Sequence, residues 1–241
     1  TVKYAKLSPN YIQSKKSQVE NFCDKYWRNE NNSLSFLVAK DGQIIYERYQ
    51  GYANKNKDTK ITQETPIHIA SVSKVLTATA VLILIDRKDI DLNQKVNTIL
   101  DNFPYPDITV ATLLNHRSGL RNYAYFIEDK GVWDRHKTLT NQDVATLLSE
   151  KNLQLDFPSD TRFAYCNTNY AVLASIIEKV SKVTYQKFMH DCIFSPLGMS
   201  STFVYDPESA GGMYCTISYD SHGRMWKDCP ADGVVGDKGI Y

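Results

Sequence analysis

The sequence predicts a mixed α/β fold, of the α+β type, in which helices flank an antiparallel sheet and an all-helical insertion divides the domain. Two observations carry this prediction. β-rich runs lie towards both ends of the chain, and helical spacing dominates the residues between them. We place the boundaries so that residues 1–90 begin the α/β domain, residues 91–200 form a mostly helical domain, and residues 201–241 return to the α/β domain.

The N-terminal elements follow from spacing and turn chemistry. Over residues 8–29 apolar side chains recur at helical intervals, which predicts one amphipathic helix. Two β-rich runs, Leu34–Lys40 and Gln43–Gln50, enclose Asp41-Gly42, a dipeptide that favours a hairpin turn. The polar stretch Ala53–Glu64 predicts an exposed loop before the next apolar run.

The middle of the chain reads as a series of helices. The apolar run Val75–Ile85 predicts a helix that is buried on nearly every face. A loop with a short helix is predicted at 92–100, and three longer helices follow at Thr109–Asn115, Thr140–Ser149 and Ala171–Phe188. β character returns at Tyr214–Tyr219 and Met225–Lys227, on either side of a turn at Asp220–Gly223.

Composition narrows the classes of partner. The 241 residues carry 28 basic and 27 acidic side chains without a basic block, so we expect neither nucleic acid nor an anionic membrane as a partner. No apolar run is long enough to cross a bilayer. We predict no metal, because the histidines and cysteines lack metal-binding spacing. We also expect a monomer and no cofactor. One disulfide is possible, but the sequence does not show which two of the five cysteines would form it: Cys23, Cys166, Cys192, Cys215 and Cys229.

Ser71 and Lys74 form the first candidate constellation. They lie three residues apart where an extended run turns into the apolar helix, so their side chains share one helix face. A lysine amine can take the proton of a serine hydroxyl when its surroundings favour the neutral amine, and the helix N-terminus favours negative charge near the serine. The alternative is that Ser71 caps a core helix and Lys74 is an ordinary first-turn lysine.

Tyr165 and Asn167 form the second. Alternate residues of an extended segment share a face, so the phenol and the carboxamide point the same way just before a helix. A tyrosine near a lysine can accept and return a proton, and a fixed amide can hold a substrate carbonyl or orient the lysine. The alternative is a core tyrosine beside an asparagine that caps a helix.

The ordered set of motifs resembles a known superfamily. Ile69-Ala70-Ser71-Val72-Ser73-Lys74 is followed by the segment 113–120 (Leu-Leu-Asn-His-Arg-Ser-Gly-Leu) and by 163–170 (Phe-Ala-Tyr-Cys-Asn-Thr-Asn-Tyr). This order resembles the serine β-lactamase and penicillin-binding-protein superfamily, in the branch of class C β-lactamases, D-alanyl-D-alanine carboxypeptidases and family VIII esterases. The resemblance runs from about residue 34 to residue 241 and implies the β-lactamase-like fold, an antiparallel sheet flanked by helices.

The resemblance also implies roles. Ser71 would be the acylated nucleophile, Lys74 would help to deprotonate it, and Tyr165 would be the shared acid and base. Asn167 would contact Lys74 and the substrate amide, and the Ser71 N–H would supply half of an oxyanion hole. His116 lies in what the resemblance marks as a structural loop and receives no catalytic role. The implied activity is that of a serine acyl-transfer hydrolase acting on a β-lactam, a D-Ala-D-Ala peptide or a small ester.

One departure from the superfamily's motifs affects the catalytic competence that we expect of this chain. The superfamily's third motif, a lysine or histidine followed by a hydroxyl residue and glycine, does not occur; Asp237-Lys238-Gly239 lacks the hydroxyl residue. We therefore expect a piece of a longer protein whose sheet is incomplete and whose site lacks one wall. The alternatives are a β-lactamase-like sensor or binding module that deacylates slowly or not at all, and a structural fragment that works only with the missing part.

Location and substrate specificity are further expectations. The resemblance implies a periplasmic or secreted protein, and the non-initiator Thr1 favours a removed leader, which could also have served as a membrane anchor. The aromatic and charged stretch 121–137 is the expected rim of the substrate site.

Overall fold

The structure, a computed structural model, describes residues 4–29, 32–134, 136–151, 153–206, 215–219, 222–225 and 232–241. The chain forms two compact units, one of residues 1–67 with 214–225 and one of residues 68–213 with 226–241. The mixed α/β class predicted from the sequence is confirmed. The division into domains at residues 90 and 200 stays a prediction.

The first unit is built on a helix and a hairpin. Helix α1 spans Pro9–Tyr26 and is capped by Ser8, whose hydroxyl accepts the Tyr11 N–H. Strands β1 (Leu34–Lys40) and β2 (Gln43–Gln50) pair antiparallel around the predicted Asp41-Gly42 turn. The small core between α1 and the hairpin buries three side chains, Cys23, Ile45 and Tyr46.

The predicted exposed loop at 53–64 is wrong in part. Strands β3 (Tyr52–Asn54) and β4 (Thr59–Lys60) form a second antiparallel pair around a short 3-10 turn, in which the Asn54 carboxamide accepts the Lys57 N–H. That Asx-type turn is what closes a pair of strands within so polar a stretch. The chain returns at 215–219, where the Ile217 N–H bonds to the Ala53 carbonyl.

The predicted C-terminal hairpin lies partly outside the described residues, which leave out 214, 220, 221, 226 and 227. In the part that is described, Tyr219 and Met225 form one antiparallel bridge, as expected for the two arms of a hairpin. A second bridge joins Val204 to Ile240 in the other unit.

The second unit is organised around helix α2, Ser73–Asp86, which packs against α6 (Asn167–Ser181) and α7 (Tyr185–Met189). The prediction that this helix is buried on nearly every face is wrong. Val72, Val75 and Leu82 are more than half exposed, because packing against α6 and α7 covers only one side of α2. An apolar strip therefore runs along α2 from its first turn.

Shorter helices complete this unit: α3 (Val110–Leu114), α4 (Tyr123–Phe126) and α5 (Asn141–Glu150). The predicted helices at 109–115 and 140–149 are confirmed, each with a capping box led by a threonine. The single helix predicted over 171–188 is wrong at both ends. It begins earlier, at Asn167, and breaks at Lys182, which adopts a left-handed φ of 63°, before Thr184 caps α7.

The C-terminal segment 232–241 runs beside α2 and is held to it by hydrogen bonds. Thr77 Oγ1 donates to the Gly236 carbonyl (2.6 Å), and the Ile240 N–H donates to Ser73 Oγ (3.2 Å). Gly236 has a φ of 99°, and a Cβ placed there would lie 2.4 Å from the Tyr170 carbonyl oxygen. Only glycine lets this backbone pass so close to α6.

We therefore expect Gly236→Ala to destabilise the protein strongly, because the new methyl group meets backbone and the φ disfavours any side chain. The loss should be about 3 kcal/mol or more in the free energy of unfolding, measured by urea denaturation. Gly198→Ala is the matched control: its φ is also positive, at 68°, but no atom lies within 4 Å of the new Cβ. Its loss should be about 1 kcal/mol, and equal losses in the two variants would contradict the close approach at Gly236.

Candidate active site

Ser71 lies on a 3-10 turn, Ala70–Val72, that leads directly into α2. Ala70 has a φ of 45°, a left-handed conformation that alanine rarely adopts. Such an outlier is typical of functional turns. The turn leaves Ser71 at the surface while Lys74, one turn further on, is buried.

The Lys74 ammonium group has two hydrogen-bond acceptors. It donates to Ser71 Oγ at 3.2 Å and to the backbone carbonyl of Asp237 at 2.7 Å. It also lies 5.0 Å from the centroid of the Tyr165 ring and 5.8 Å from that of Tyr170, within cation–π range. A lysine that is 6% exposed needs such partners, because an unpaired buried charge is costly.

Tyr165 comes to the serine from the segment that precedes α6. Its hydroxyl donates to Ser71 Oγ at 2.9 Å, although the two residues are 94 positions apart in sequence. Ser71 Oγ thus lies between an amine and a phenol. The Tyr165 ring is half exposed, so a ligand can reach this side of the serine.

Asn167 is the first residue of α6, where the sequence placed it, but one predicted contact is not formed. Its Oδ1 is buried and has no hydrogen-bond partner among the described residues, so Lys74 does not donate to it. Lys74 uses the Asp237 carbonyl instead. The role of Asn167 towards a substrate amide stays a prediction.

A groove of about 680 Å³ opens at this point. It is bounded by the Ser71 turn, the apolar strip of α2 and three aromatic rings: His116, Tyr165 and Tyr170. A larger depression of about 910 Å³ lies elsewhere in the same unit, lined by Asp101, Lys179, Lys182 and other residues, and it contains none of the predicted site residues. We take the groove at Ser71 as the candidate active site, because a nucleophile and proton-transfer groups converge there.

His116 supports Tyr165 from behind. The ring centroids of the two side chains are 4.5 Å apart. His116 Nδ1 accepts the Cys166 N–H at 3.2 Å, and the Asn169 carboxamide nitrogen lies 3.1 Å from the same atom. Nδ1 must therefore be unprotonated. Burial, together with the charge of Lys74, lowers the pKa of His116, which favours the same neutral ring.

The Cys166 side chain connects two segments: the one before α6, which also carries Tyr165, and the loop 113–120. Its thiol is buried and bonds to the Leu120 carbonyl at 3.2 Å. Burial raises the pKa of this thiol. Cys23, Cys192 and Cys215 are also free thiols, and Cys229 lies outside the described residues, so the open disulfide prediction finds no pair among the four cysteines that are described.

Sequence reasoning missed two residues of this site, Asp237 and Tyr123. Asp237 supplies the carbonyl that holds Lys74, and its buried carboxyl accepts the Tyr123 hydroxyl at 2.9 Å. Tyr123 falls in the stretch predicted as the rim, but it is buried. The one signal was an acidic residue directly after the small and apolar run 233–236.

Two further findings bear on classes of function. Within the described ranges, no group of three or more histidine, cysteine, aspartate or glutamate side chains is arranged to hold a metal ion. Over the same residues, no helix combines the length and the apolar character needed to cross a membrane.

Comparison with known proteins identifies relatives. The family model described as Beta-lactamase matches residues 19–241. Penicillin-binding protein 4* of Bacillus subtilis is 32% identical over 219 residues, which is 89% of this chain and 48% of that protein. A D-aminopeptidase of Brucella anthropi is 29% identical over 179 residues, which is 74% of this chain and 34% of that enzyme.

A solved structure agrees in fold. The octameric penicillin-binding protein homologue from Pyrococcus abyssi superposes with a TM-score of 0.75 at 26% identity, over 93% of this chain and 52% of that one. The chain thus spans about half the length of this structure and of the Bacillus protein.

The neutral ring of His116 predicts a pH dependence of stability. The pKa of His116 is lower in the folded protein than in the unfolded chain. Its contribution to the free energy of unfolding is therefore complete above about pH 6.5 and is lost as the pH falls towards the pKa of the folded protein. His116→Asn should lose less stability than the wild type between about pH 8 and pH 5, measured by urea denaturation. Asparagine tolerates the φ of 58° and offers an oxygen acceptor that does not titrate in this range.

His68 also contributes to the pH dependence of stability. Burial lowers the pKa of His68 too, and its Nε2 accepts the Gly239 N–H, so it contributes a loss of the same sign. Both proteins retain His68, and the difference between them isolates His116. Identical pH profiles would show that protonation of His116 does not disturb the fold.

Proposed function

This chain belongs to the Beta-lactamase family, and from that membership we propose that it carries the acylating centre of a serine hydrolase. Ser71 Oγ forms a bond to the carbonyl carbon of the substrate while its proton passes to the neutral amine form of Lys74 or to the phenolate form of Tyr165. The C–N or C–O bond of the substrate then breaks, and the leaving atom takes that proton. Water hydrolyses the resulting ester and regenerates the serine.

One observation carries the proposal: Ser71 Oγ is bonded at once to the Lys74 ammonium group (3.2 Å) and to the Tyr165 hydroxyl (2.9 Å). A serine that merely caps a helix would bond to backbone N–H groups of the first turn. Here the oxygen faces two side chains that can each exchange a proton, from different elements of the fold. This geometry supports a nucleophile with its acid and base in place.

The substrate class follows from the relatives and the groove. The named relatives are a penicillin-binding protein and a D-aminopeptidase, which supports a β-lactam or a peptide that contains a D-amino acid. Apolar side chains along α2 form one wall of the groove, which suits a substrate that is partly apolar. A small ester is the remaining candidate.

The proposal is tested by the intact mass of the protein after incubation with a reactive β-lactam, followed by peptide mapping. The wild type should gain one adduct on Ser71, and Ser71→Ala should gain none. Tyr165→Phe should still bind but acylate about 100 to 10,000 times more slowly, because it lacks the group that exchanges the proton. The time course of adduct loss measures deacylation.

Two exposed residues of the same types provide controls. Ser195→Ala removes a surface serine and Tyr26→Phe removes a surface phenol, and both should acylate as the wild type does. Undiminished labelling of Ser71→Ala would overturn the proposal. An adduct that is never lost would assign the chain to the slowly deacylating class of receptor.

A further inference from the structure

The acceptor that fixes Lys74 is a backbone carbonyl, that of Asp237, and the backbone on both sides of it is held to α2. On one side the Gly236 carbonyl accepts from Thr77 Oγ1, and on the other the Ile240 N–H bonds to Ser73 Oγ. Neither bond sets the orientation of the peptide group between residues 237 and 238. That orientation needs a separate constraint, because a peptide plane can rotate between two fixed neighbours.

The side chain of Asp237 is itself held in place. Its carboxyl is 1% exposed, and its Oδ2 accepts the Tyr123 hydroxyl at 2.9 Å. Tyr123 is equally buried and lies at the start of α4, where its own N–H bonds to Thr168 Oγ1 in the first turn of α6. The carboxyl is thus tied to the same helix that positions the candidate catalytic tyrosine.

A carboxyl in this place is costly to the fold. Its Oδ1 has no hydrogen-bond partner among the residues described, and burial raises the pKa of Asp237. The charged or titratable groups that face it are Lys74 from α2, Tyr123 from α4, Tyr185 from α7 and the adjacent Lys238. An apolar side chain of the same size would avoid this cost, so packing alone does not account for an aspartate here.

We propose that Asp237 is a positioning residue for Lys74: the Tyr123–Asp237 hydrogen bond orients the Asp237 carbonyl, and that carbonyl holds the lysine amine against Ser71. The inference rests on the proposed function for its consequence, a faster acylation of Ser71. It requires only that the carboxyl accept a hydrogen bond from Tyr123. Removal of either partner frees the carbonyl to turn away and Lys74 to follow it.

The test compares Asp237→Ala, Asp237→Asn and Tyr123→Phe with the wild type, using the rate of β-lactam acylation and the affinity of the non-covalent complex. Asp237→Ala and Tyr123→Phe should acylate about 10 to 100 times more slowly with little change in affinity, because a displaced amine impairs the chemical step. Asp237→Asn should stay within a few-fold of the wild type, because its amide oxygen still accepts from Tyr123. Tyr105→Phe is the matched control: it removes a phenol that bonds to the Leu153 carbonyl, away from Lys74, and should acylate normally.

Crystal structures of the same variants separate this inference from the proposed function. In Asp237→Ala and Tyr123→Phe, the Lys74 Nζ should move away from its positions 2.7 Å from the Asp237 carbonyl and 3.2 Å from Ser71 Oγ. An unmoved lysine would overturn the inference even if acylation slowed, and so would wild-type acylation rates in both variants. If the wild type itself fails to acylate, the proposed function fails and the position of Lys74 in these crystals alone decides the inference.

Discussion

The candidate site depends on one close approach, that of the backbone at Gly236 to helices α2 and α6. The missing side chain lets the chain pass within contact distance of the Tyr170 carbonyl. That passage puts two successive carbonyls against α2, where Thr77 and Lys74 bind them one turn apart. A bulkier residue would push the segment outwards and remove the acceptor that holds the lysine. The position of Lys74 beside Ser71 thus depends on a packing constraint that lies outside the groove.

The electrostatic design of the site relies on dipoles and rings more than on ion pairs. Lys74 is held by a carbonyl, a hydroxyl and two aromatic faces, and burial together with the charge of Lys74 favours the neutral imidazole behind Tyr165. Asp237 contributes a carboxyl beside this cluster, and it is bonded to a phenol. A site with little fixed charge can respond to the charge that develops when Ser71 attacks a carbonyl.

The sequence could predict those parts of the site that depend on short spacing. Ser71 and Lys74 share a helix turn, and Tyr165 and Asn167 share one junction, so local geometry places each pair. The partnership of Asp237 with Lys74 and Tyr123 joins three segments far apart in the chain, and no local pattern encodes it. Asn167 shows that short spacing can predict where a residue lies without predicting its partner. Its position at the start of α6 was predicted correctly, but its contact with Lys74 was not.

The same distinction holds for the fold. The Asp41-Gly42 hairpin and the helices α3 and α5 depend on neighbouring residues, and they were predicted. The break at Lys182 was missed because the apolar spacing continues through it, while the Thr184 cap and the Glu178 carboxylate, which accepts the Tyr185 N–H, start a new helix. The exposed strip of α2 was missed because composition reports how apolar a helix is, and only packing decides which faces are covered.

The buried thiol of Cys166 can be used to measure local opening of the segment before α6. The sulfur bonds to the Leu120 carbonyl and is almost inaccessible, and the adjacent residue is Tyr165. A thiol reagent can reach it only when this segment separates from the loop, so the rate of modification measures how often that opening occurs. The protein therefore carries, one residue from its candidate acid and base, a native probe of local unfolding.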